Sequence, residues 1–373
     1  MGAKKDAKKA AAEAAARSQS IEKTQKAARK AAKERKKKAK KEAKKAATWN
    51  ADPRELLRIG GDFTLEGFAR DTTPGFIGDD IAGETLLARR GEDFADLQER
   101  LYASSKNGAN EAILLIIQGL DTSGKGGIIR HVVGQVDPQG IALKAFKVPT
   151  EEERSHDFLW RIRPHLPQPG YIGVFDRSHY EDLLVPTAQA RLGQHFDQSW
   201  AVSEDELGRR YHEIYQMECD AVARGIRVIK VCLVVSYAEQ GERLRERLER
   251  PDKHWKFSMG DLDTRDHWAQ YQSAYSEVLS RSSTEIAPWY VIPADHKWYA
   301  RLAVQEILVR TLEDINPQWP AADFDLAEAE ARLNLTTSPE ALVPWASERS
   351  APPSSKDSSN EGEAEPTINL GAL

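Results

Sequence analysis

Five short apolar runs punctuate the chain: Glu111–Gln118, Ile141–Val148, Tyr171–Phe175, Arg227–Val235 and Trp289–Ile292. The first, Glu111-Ala-Ile-Leu-Leu-Ile-Ile-Gln118, shows neither alternation nor a helical period. A nearly unbroken apolar stretch of this length is what a strand covered on both faces requires. Helical spacing fills most of the intervals between runs. Three of these helices are preceded by a Ser/Thr-x-x-Glu start signal: Thr150 with Glu153, Ser203 with Glu206, and Ser236 with Glu239. Alternating strands and helices predict an α/β sandwich of three layers around a central parallel sheet. No internal repeat interrupts this body, which is expected to span residues 49–345.

On either side the patterning stops. Residues 1–48 are almost entirely Ala, Lys, Glu and Arg, with no apolar face to bury, and predict a disordered arm with transient helix at most. The arm holds 15 Lys and 3 Arg against 5 acidic residues, a net of +13, which leaves −18 for the rest of a chain totalling −5. A solvated tail is the plain reading; a polyanion-binding arm, acting by counterion release, is the sharper one. Residues 346–373, rich in Ser, Pro and Glu, predict a disordered acidic tail.

Composition narrows the class. With 40% hydrophobic and 30% charged residues the chain has material for a sizeable core, which excludes collagen-like and mucin-like proteins. No apolar run approaches the roughly 18 residues of a membrane span. Two cysteines, Cys219 and Cys232, cannot make a disulfide framework; without a secretory signal they read as thiols in a reducing cytoplasm. The nine His show no zinc-type grouping with Cys, and no Gly-x-Ser-x-Gly elbow is present.

Chemistry enters directly after the first run, at Gly119-Leu-Asp-Thr-Ser-Gly124-Lys125-Gly126-Gly127, followed by the helical stretch Ile128–Val133. This is Gly-x4-Gly-Lys between a strand and a helix, the context in which such a loop binds phosphate. Glycines let backbone N–H groups crowd around phosphate oxygens, and the helix start adds positive potential. Gly119, Thr122, Ser123, Gly124, Gly126 and Gly127 form the expected phosphate- or nucleotide-binding loop, with Lys125 as a movable cation; a structural Gly-rich turn is the alternative. Gly126 replaces the usual Ser/Thr that ligates Mg²⁺, and Asp121 lies inside the loop, where it would repel phosphate unless a divalent cation intervened. Asp121 is therefore a candidate metal ligand or a base near the phosphoryl acceptor, against the simpler role of capping a turn.

A second motif, Tyr171-Ile-Gly-Val-Phe-Asp176-Arg177-Ser178-His179-Tyr180-Glu181-Asp182, is an apolar strand ending in a carboxylate. That arrangement sets Asp176 beside the phosphate loop, with Arg177 able to neutralise a transferring phosphoryl group. His179, Glu181 and Asp182 read equally well as groups that cap or orient the next helix. The third region, 243–268, is basic and broken by a proline and a glycine. Arg245 and Arg250 fit a solvated helical face with Glu242 and Glu246, whereas Lys253-His-Trp255-Lys256 fits a cationic lid closing over a phosphate chain. Trp255 is the one tryptophan placed to stack on a base; the others read as core.

Together these motifs, with Ala287-Pro-Trp-Tyr-Val-Ile-Pro-Ala-Asp-His-Lys297-Trp-Tyr-Ala-Arg301, resemble the type 2 polyphosphate kinases over about Glu84 to Asp314. The resemblance implies a P-loop kinase fold with a helical lid of about 243–282. The implied activity is Mg²⁺-dependent phosphoryl transfer between inorganic polyphosphate and nucleotides (ADP/ATP, AMP, possibly GDP and GMP). It makes Asp121 and Asp176 the catalytic, metal-associated carboxylates and Lys125 and Arg177 the phosphate clamps. Ser178 joins the phosphate-binding set, and Arg243, Arg247, Lys253, Lys256 and Arg265 fall in or beside the lid. His-Tyr-Glu-Asp after Ser178 is similar to members that accept mono- and diphosphates. Members of the family commonly assemble as dimers or tetramers, which implies a homo-oligomer; this chain's own patterning predicts no membrane span, and nucleic acid only through the basic arm. Two rival readings stay open: an ATP-dependent kinase of a small metabolite or nucleotide, and a nucleic-acid-binding ATP switch.

Overall fold

The computed structural model describes residues 48–192 and 201–337; the basic arm (except Thr48) and the acidic tail lie outside these. All five apolar runs are strands: β1 Ala112–Gln118, β2 Ile141–Ala145, β3 Ile172–Asp176, β4 Ile226–Val234 and β5 Trp289–Pro293. They form one parallel sheet in the order β2-β3-β1-β4-β5. The central strand β1 is buried along its whole length, which explains its unbroken apolar sequence. β2 is shorter than its apolar run: it lies at the sheet edge, ends at Ala145 and leaves Val148 67% exposed.

The α-helices of five or more described residues are α1 Asp80–Ser105, α2 Lys125–His131, α3 Glu151–Ser155, α4 Glu181–Ala190, α5 Glu204–Ala223, α6 Tyr237–Glu249, α7 Met259–Asp266, α8 Trp268–Ser282, α9 Lys297–Ile315 and α10 Leu326–Thr337. Alternate residues of β1 face opposite layers. Ile113, Leu115 and Ile117 pack with Phe94 of α1 and Leu302 and Leu308 of α9. Leu114 and Ile116 pack with Leu183 of α4, Met217 of α5 and Leu279 of α8. Each fully buried side chain of this kind contributes about 1.5–3 kcal/mol relative to exposure. Three layers result, as the pattern predicts.

The three start signals hold their positions with one refinement. Thr150 makes the full reciprocal box with Glu153. Ser203 and Ser236 accept from the N–H groups of Glu206 and Glu239, but those carboxylates turn to arginines, Glu206 to Arg209 and Arg210, and Glu239 to Arg243. An ionic partner at hand outcompetes the return bond to a backbone N–H.

Among the described residues the compact unit containing the sheet closes at Pro320, and helix α10, which follows, buries none of its residues. No described helix is long and apolar enough to cross a membrane. Cys232 is buried and Cys219 half-buried, both as free thiols.

Candidate active site

The phosphate loop joins β1 to α2. Gly119 and Gly124 have φ of 142° and 117°, backbone that side chains rarely adopt. A Cβ on Gly119 would lie 2.5 Å from the Leu233 carbonyl oxygen. Thr122 adopts φ 66° without that freedom, a strained conformation of the sort that concentrates at functional sites. The Lys125 ammonium folds back onto the Gly119 and Leu120 carbonyls. A Cβ added to Gly126 meets nothing within 4 Å, so packing does not account for the missing Ser/Thr hydroxyl.

β3 delivers the second motif beside this loop because it pairs directly with β1, Asp176 opposite Ile117. Arg177 follows at φ 64°, with its N–H bonded to the Ile117 carbonyl (3.1 Å). Its guanidinium donates to Asp121 Oδ1 at 2.8 Å, so two residues 56 positions apart meet as expected of a shared site. Burial opposes ionisation of Asp121, but the charges of Lys125, Arg177 and Arg247 outweigh it and hold the carboxyl below its usual range. Burial likewise opposes the charge on Arg177, and Glu181 and Asp121 overcome it and raise the pKa.

A cavity of about 460 Å³ opens over the loop. Its lining brings together Asp121–Gly127, Asp176 and Arg177 with Arg247, Lys253 and Lys256 from the basic region. It also includes cations that the sequence reading left without a role: Arg130 on α2, and Lys297 and Arg301 on α9. Lys297 and Arg301 are one helical turn apart, a spacing that places both on one face. Nine Lys and Arg side chains against two carboxylates, Asp121 and Asp176, line this cavity. In a chain whose residues beyond the arm total −18, that is a local inversion of sign built for an anion. Among the described residues no three His, Cys, Asp or Glu side chains gather as a preformed metal cage. Asp121 and Asp176 nevertheless suit Mg²⁺, which keeps several waters and takes one or two carboxylates plus substrate phosphates.

Three expected site residues take other positions. Ser123 is 2% exposed, with its hydroxyl against Gly119, so only its backbone is available to a ligand. Ser178 is fully buried and pins the turn: with the Gln118 amide oriented to satisfy both ends, its oxygen accepts from the Ser178 N–H (3.2 Å) and Oγ (3.1 Å) while its nitrogen donates to Glu181 (2.9 Å). Arg243 is 6% exposed, with its guanidinium bonded to protein carbonyls and Glu239.

The expected lid, about 243–282, is not uniform. Arg243 belongs to the packed helix α6, and α8 buries Ala274, Tyr275, Val278 and Leu279. Residues 250–267 stand away from the core. Trp255 is 78% exposed there, with the Lys256 ammonium 4.9 Å from its ring centre. Arg247 ties the segment down through Asp261 and the Lys256 carbonyl, each at 2.9 Å. Arg245 and Arg250 pair with Glu242 (3.6 Å) and Glu246 (3.3 Å), as the helical-face reading expects.

His179, one step behind Ser178, is fully buried, and neither ring nitrogen has a hydrogen-bond partner among the described residues. Burial first, then the charges of Lys230 and Arg161, push its pKa down to about 3 from 6.5. The folded state thus binds fewer protons than the unfolded chain between these values, so this contribution to stability is whole above pH 6.5 and is lost as pH falls. Replacing His179 by Phe removes the titration and keeps a ring. Denaturant titrations at pH about 6.5 and about 4.5 should show the parent losing roughly 2–3 kcal/mol more than His179→Phe. Equal losses would mean that His179 can become charged without disrupting the fold.

Comparison with known proteins meets this geometry independently. The family model described as Polyphosphate kinase 2 (PPK2) matches residues 79–320. An AMP/ADP-polyphosphate phosphotransferase of Meiothermus ruber is 40% identical over 260 residues, covering 70% of this chain and 92% of that protein. An ADP-polyphosphate phosphotransferase of Rhodopseudomonas palustris is 41% identical over 241 residues, 63% of this chain and 81% of the other. A crystal structure of polyphosphate kinase 2 from Arthrobacter aurescens TC1 superposes with a TM-score of 0.73 at 46% identity, over 78% of this chain and 99% of that one. The matched span contains the whole sheet, the phosphate loop, the Asp176 turn and the basic segment above them, and on that ground the chain belongs to the polyphosphate kinase 2 family.

Proposed function

We propose that this chain transfers phosphoryl groups between inorganic polyphosphate and AMP or ADP, with Mg²⁺ held by Asp121 and Asp176. The observation that carries the reading is the cavity in which nine cationic side chains oppose two carboxylates. Relatives named as AMP/ADP- and ADP-polyphosphate phosphotransferases support the substrate pair. The reaction breaks the terminal bridging P–O bond of polyphosphate and forms a P–O bond to a terminal phosphate oxygen of the nucleotide. The chain leaves one phosphate shorter, and its new end takes the bridging oxygen's electrons. Both partners are polyanions, so positioning and charge neutralisation provide most of the catalysis.

Each residue has a part in that task. The backbone of the 119–127 loop cradles the donor phosphates, and Lys125 swings from the Gly119 carbonyl to a phosphate oxygen. Arg177 leaves Asp121 for the phosphoryl group in flight, which frees the Asp121 carboxylate. Asp121 and Asp176 would hold the Mg²⁺, which when bound would supply Lewis-acid neutralisation of phosphate charge. Arg247, Lys253 and Lys256 close from the lid side and exclude water, so that the phosphoryl group meets nucleotide rather than solvent. Lys297 and Arg301 offer cations along the α9 wall for further phosphates of the chain.

Initial rates with polyphosphate as sole phosphate donor and AMP, ADP, GMP or GDP as acceptor test this proposal. Nucleoside di- and triphosphates should form from AMP and ADP; turnover with none of the four would overturn it. The basic arm makes a separate prediction. Deleting residues 1–48 should raise the apparent KM for long polyphosphate and leave that for short chains unchanged. Equal effects on both lengths would return the arm to a solvated tail.

A further inference from the structure

A loop that presents its N–H groups to phosphate must turn its carbonyls outward, and buried carbonyls need donors. One helix behind the loop, α6, meets that need at three consecutive residues. Gln240, fully buried, reaches the Asp121 carbonyl in a long 3.4 Å contact. Arg243 Nη1 donates to the carbonyls of Thr122 (2.9 Å) and Ser123 (3.1 Å). The remaining edges of its guanidinium are occupied too: Nη2 by the Ala294 carbonyl and by that of Asp295 (3.1 Å), Nε by Glu239 (2.7 Å). Arg243 thus joins the phosphate loop to the end of β5. Thr122, at φ 66°, persists in a strained conformation only where its surroundings over-determine it, and a charge-assisted bond to its own carbonyl is such a constraint.

The same assembly extends to the lid. Arg265 on α7 donates to Gln240 Oε1 (3.1 Å) and to the Tyr237 carbonyl (2.6 Å), and its guanidinium lies 3.4 Å from the Tyr237 ring centre. Gln240 therefore bridges lid and loop, accepting from Arg265 with its oxygen and donating to Asp121 with its nitrogen.

We propose that Arg243 and Gln240 are positioning residues that hold the phosphate loop's carbonyls outward, and that Arg265 makes the loop's shape depend on where the lid sits. The catalytic part of this inference rests on the polyphosphate-transfer reading; the structural part does not. Arg243 acts through Thr122 and Ser123, and Gln240 through Asp121; the hydrogen bonds of the Arg243 guanidinium all go to protein groups. Arginine is required for its fork, since lysine presents a single point charge and cannot span three elements.

The test compares Arg243→Lys, Gln240→Met and Arg265→Lys with the parent, using full-length protein. Hydrogen exchange without substrate reads the loop directly. Amides of residues 119–125 should exchange about tenfold faster or more in Arg243→Lys, as expected for loss of hydrogen bonds to a charged group, while β1 amides stay protected. Gln240→Met and Arg265→Lys should raise exchange in the same segment, and they carry the test if Arg243→Lys fails to fold. Steady-state rates then separate positioning from contact: Arg243→Lys should lower kcat at least about tenfold with KM for polyphosphate within about twofold of the parent. Near-parent kcat in Arg243→Lys, or unchanged exchange at 119–125 in all the variants that fold, would overturn the proposal. A parent inactive with polyphosphate would instead overturn the functional reading and leave the exchange result to decide the strut.

Discussion

Asp176→Asn and Asp121→Asn should each lower turnover with polyphosphate and ADP by at least about a hundredfold, the scale on which enzymes lose a positioned electrostatic group. The substitutions preserve size and remove only charge. Both carboxylates line the cavity, where an unshielded carboxylate would repel phosphate and only a divalent cation would turn it into a partner. Asp121 also accepts from the Arg177 guanidinium at 2.8 Å. Its asparagine variant also loses the ion pair with Arg177, and on the proposed metal role the Mg²⁺ concentration giving half-maximal rate should rise in both variants. The comparison needs kcat and KM for each at saturating and limiting Mg²⁺. Activity within about threefold of the parent in either would remove that residue from the catalytic set.

The largest expected effect on stability lies away from the cavity, at Lys230→Met. Lys230 sits in β4, fully buried, with its ammonium donating to both Glu218 oxygens (3.0 and 3.1 Å), the Tyr180 hydroxyl (2.7 Å) and the Ser282 carbonyl (2.8 Å). Tyr180 in turn donates to Glu218 at 2.7 Å, and the rings of Tyr180 and Trp289 flank the ammonium. Burial drives the Lys230 pKa down and the Glu218 pKa up, each opposed by the partner's charge. Such a pair is weak evidence of net stabilisation against an apolar replacement, but breaking one half leaves a buried charge without its partner. Lys230→Met should therefore cost about 3–5 kcal/mol in denaturant unfolding. Adding Glu218→Leu should recover part of that, though not the part owed to the stranded Tyr180 hydroxyl and Ser282 carbonyl. A single-variant loss below about 1 kcal/mol would mean that water reaches this site when Lys230 is gone.

How far the sequence speaks for itself differs from residue to residue, for physical reasons. A strand covered on both faces has no polar alternative, so Ala112–Gln118 announces itself as an apolar run. The phosphate loop is equally visible, because Gly119 and Gly124 need backbone that other residues reach only under strain. Side-chain direction is not encoded so locally. Arg243 reads as a lid cation in a basic stretch, yet it lies on the buried side of α6 and grips the loop from behind. Ser178 resembles a phosphate ligand beside Arg177, but the turn carries it inward to Gln118. Lys230 shares an apolar run with Arg227, and nothing nearby in sequence shows that Glu218, on the preceding helix, is the partner of Lys230. Lys297 and Arg301 stand in the sequence only as part of a longer motif; their place emerges when α9 is seen to wall the cavity.

The polarity of the molecule follows from the same placement. An acidic body gathers nine Lys and Arg side chains over one loop, with Asp121 and Asp176 among them. That arrangement serves a reaction between two polyanions and is excessive for the transfer of one phosphate to a neutral alcohol.

The most direct test of this account is a rapid-quench single turnover with enzyme in excess over ³²P-labelled polyphosphate, Mg²⁺ and unlabelled ADP, with no added ATP. The label should move from the polyphosphate terminus to the γ-phosphate of newly formed ATP, with little released as inorganic phosphate. Label that stays in polyphosphate, or passes to water at the same rate with and without ADP, would contradict the claim that this cavity joins polyphosphate to a nucleotide.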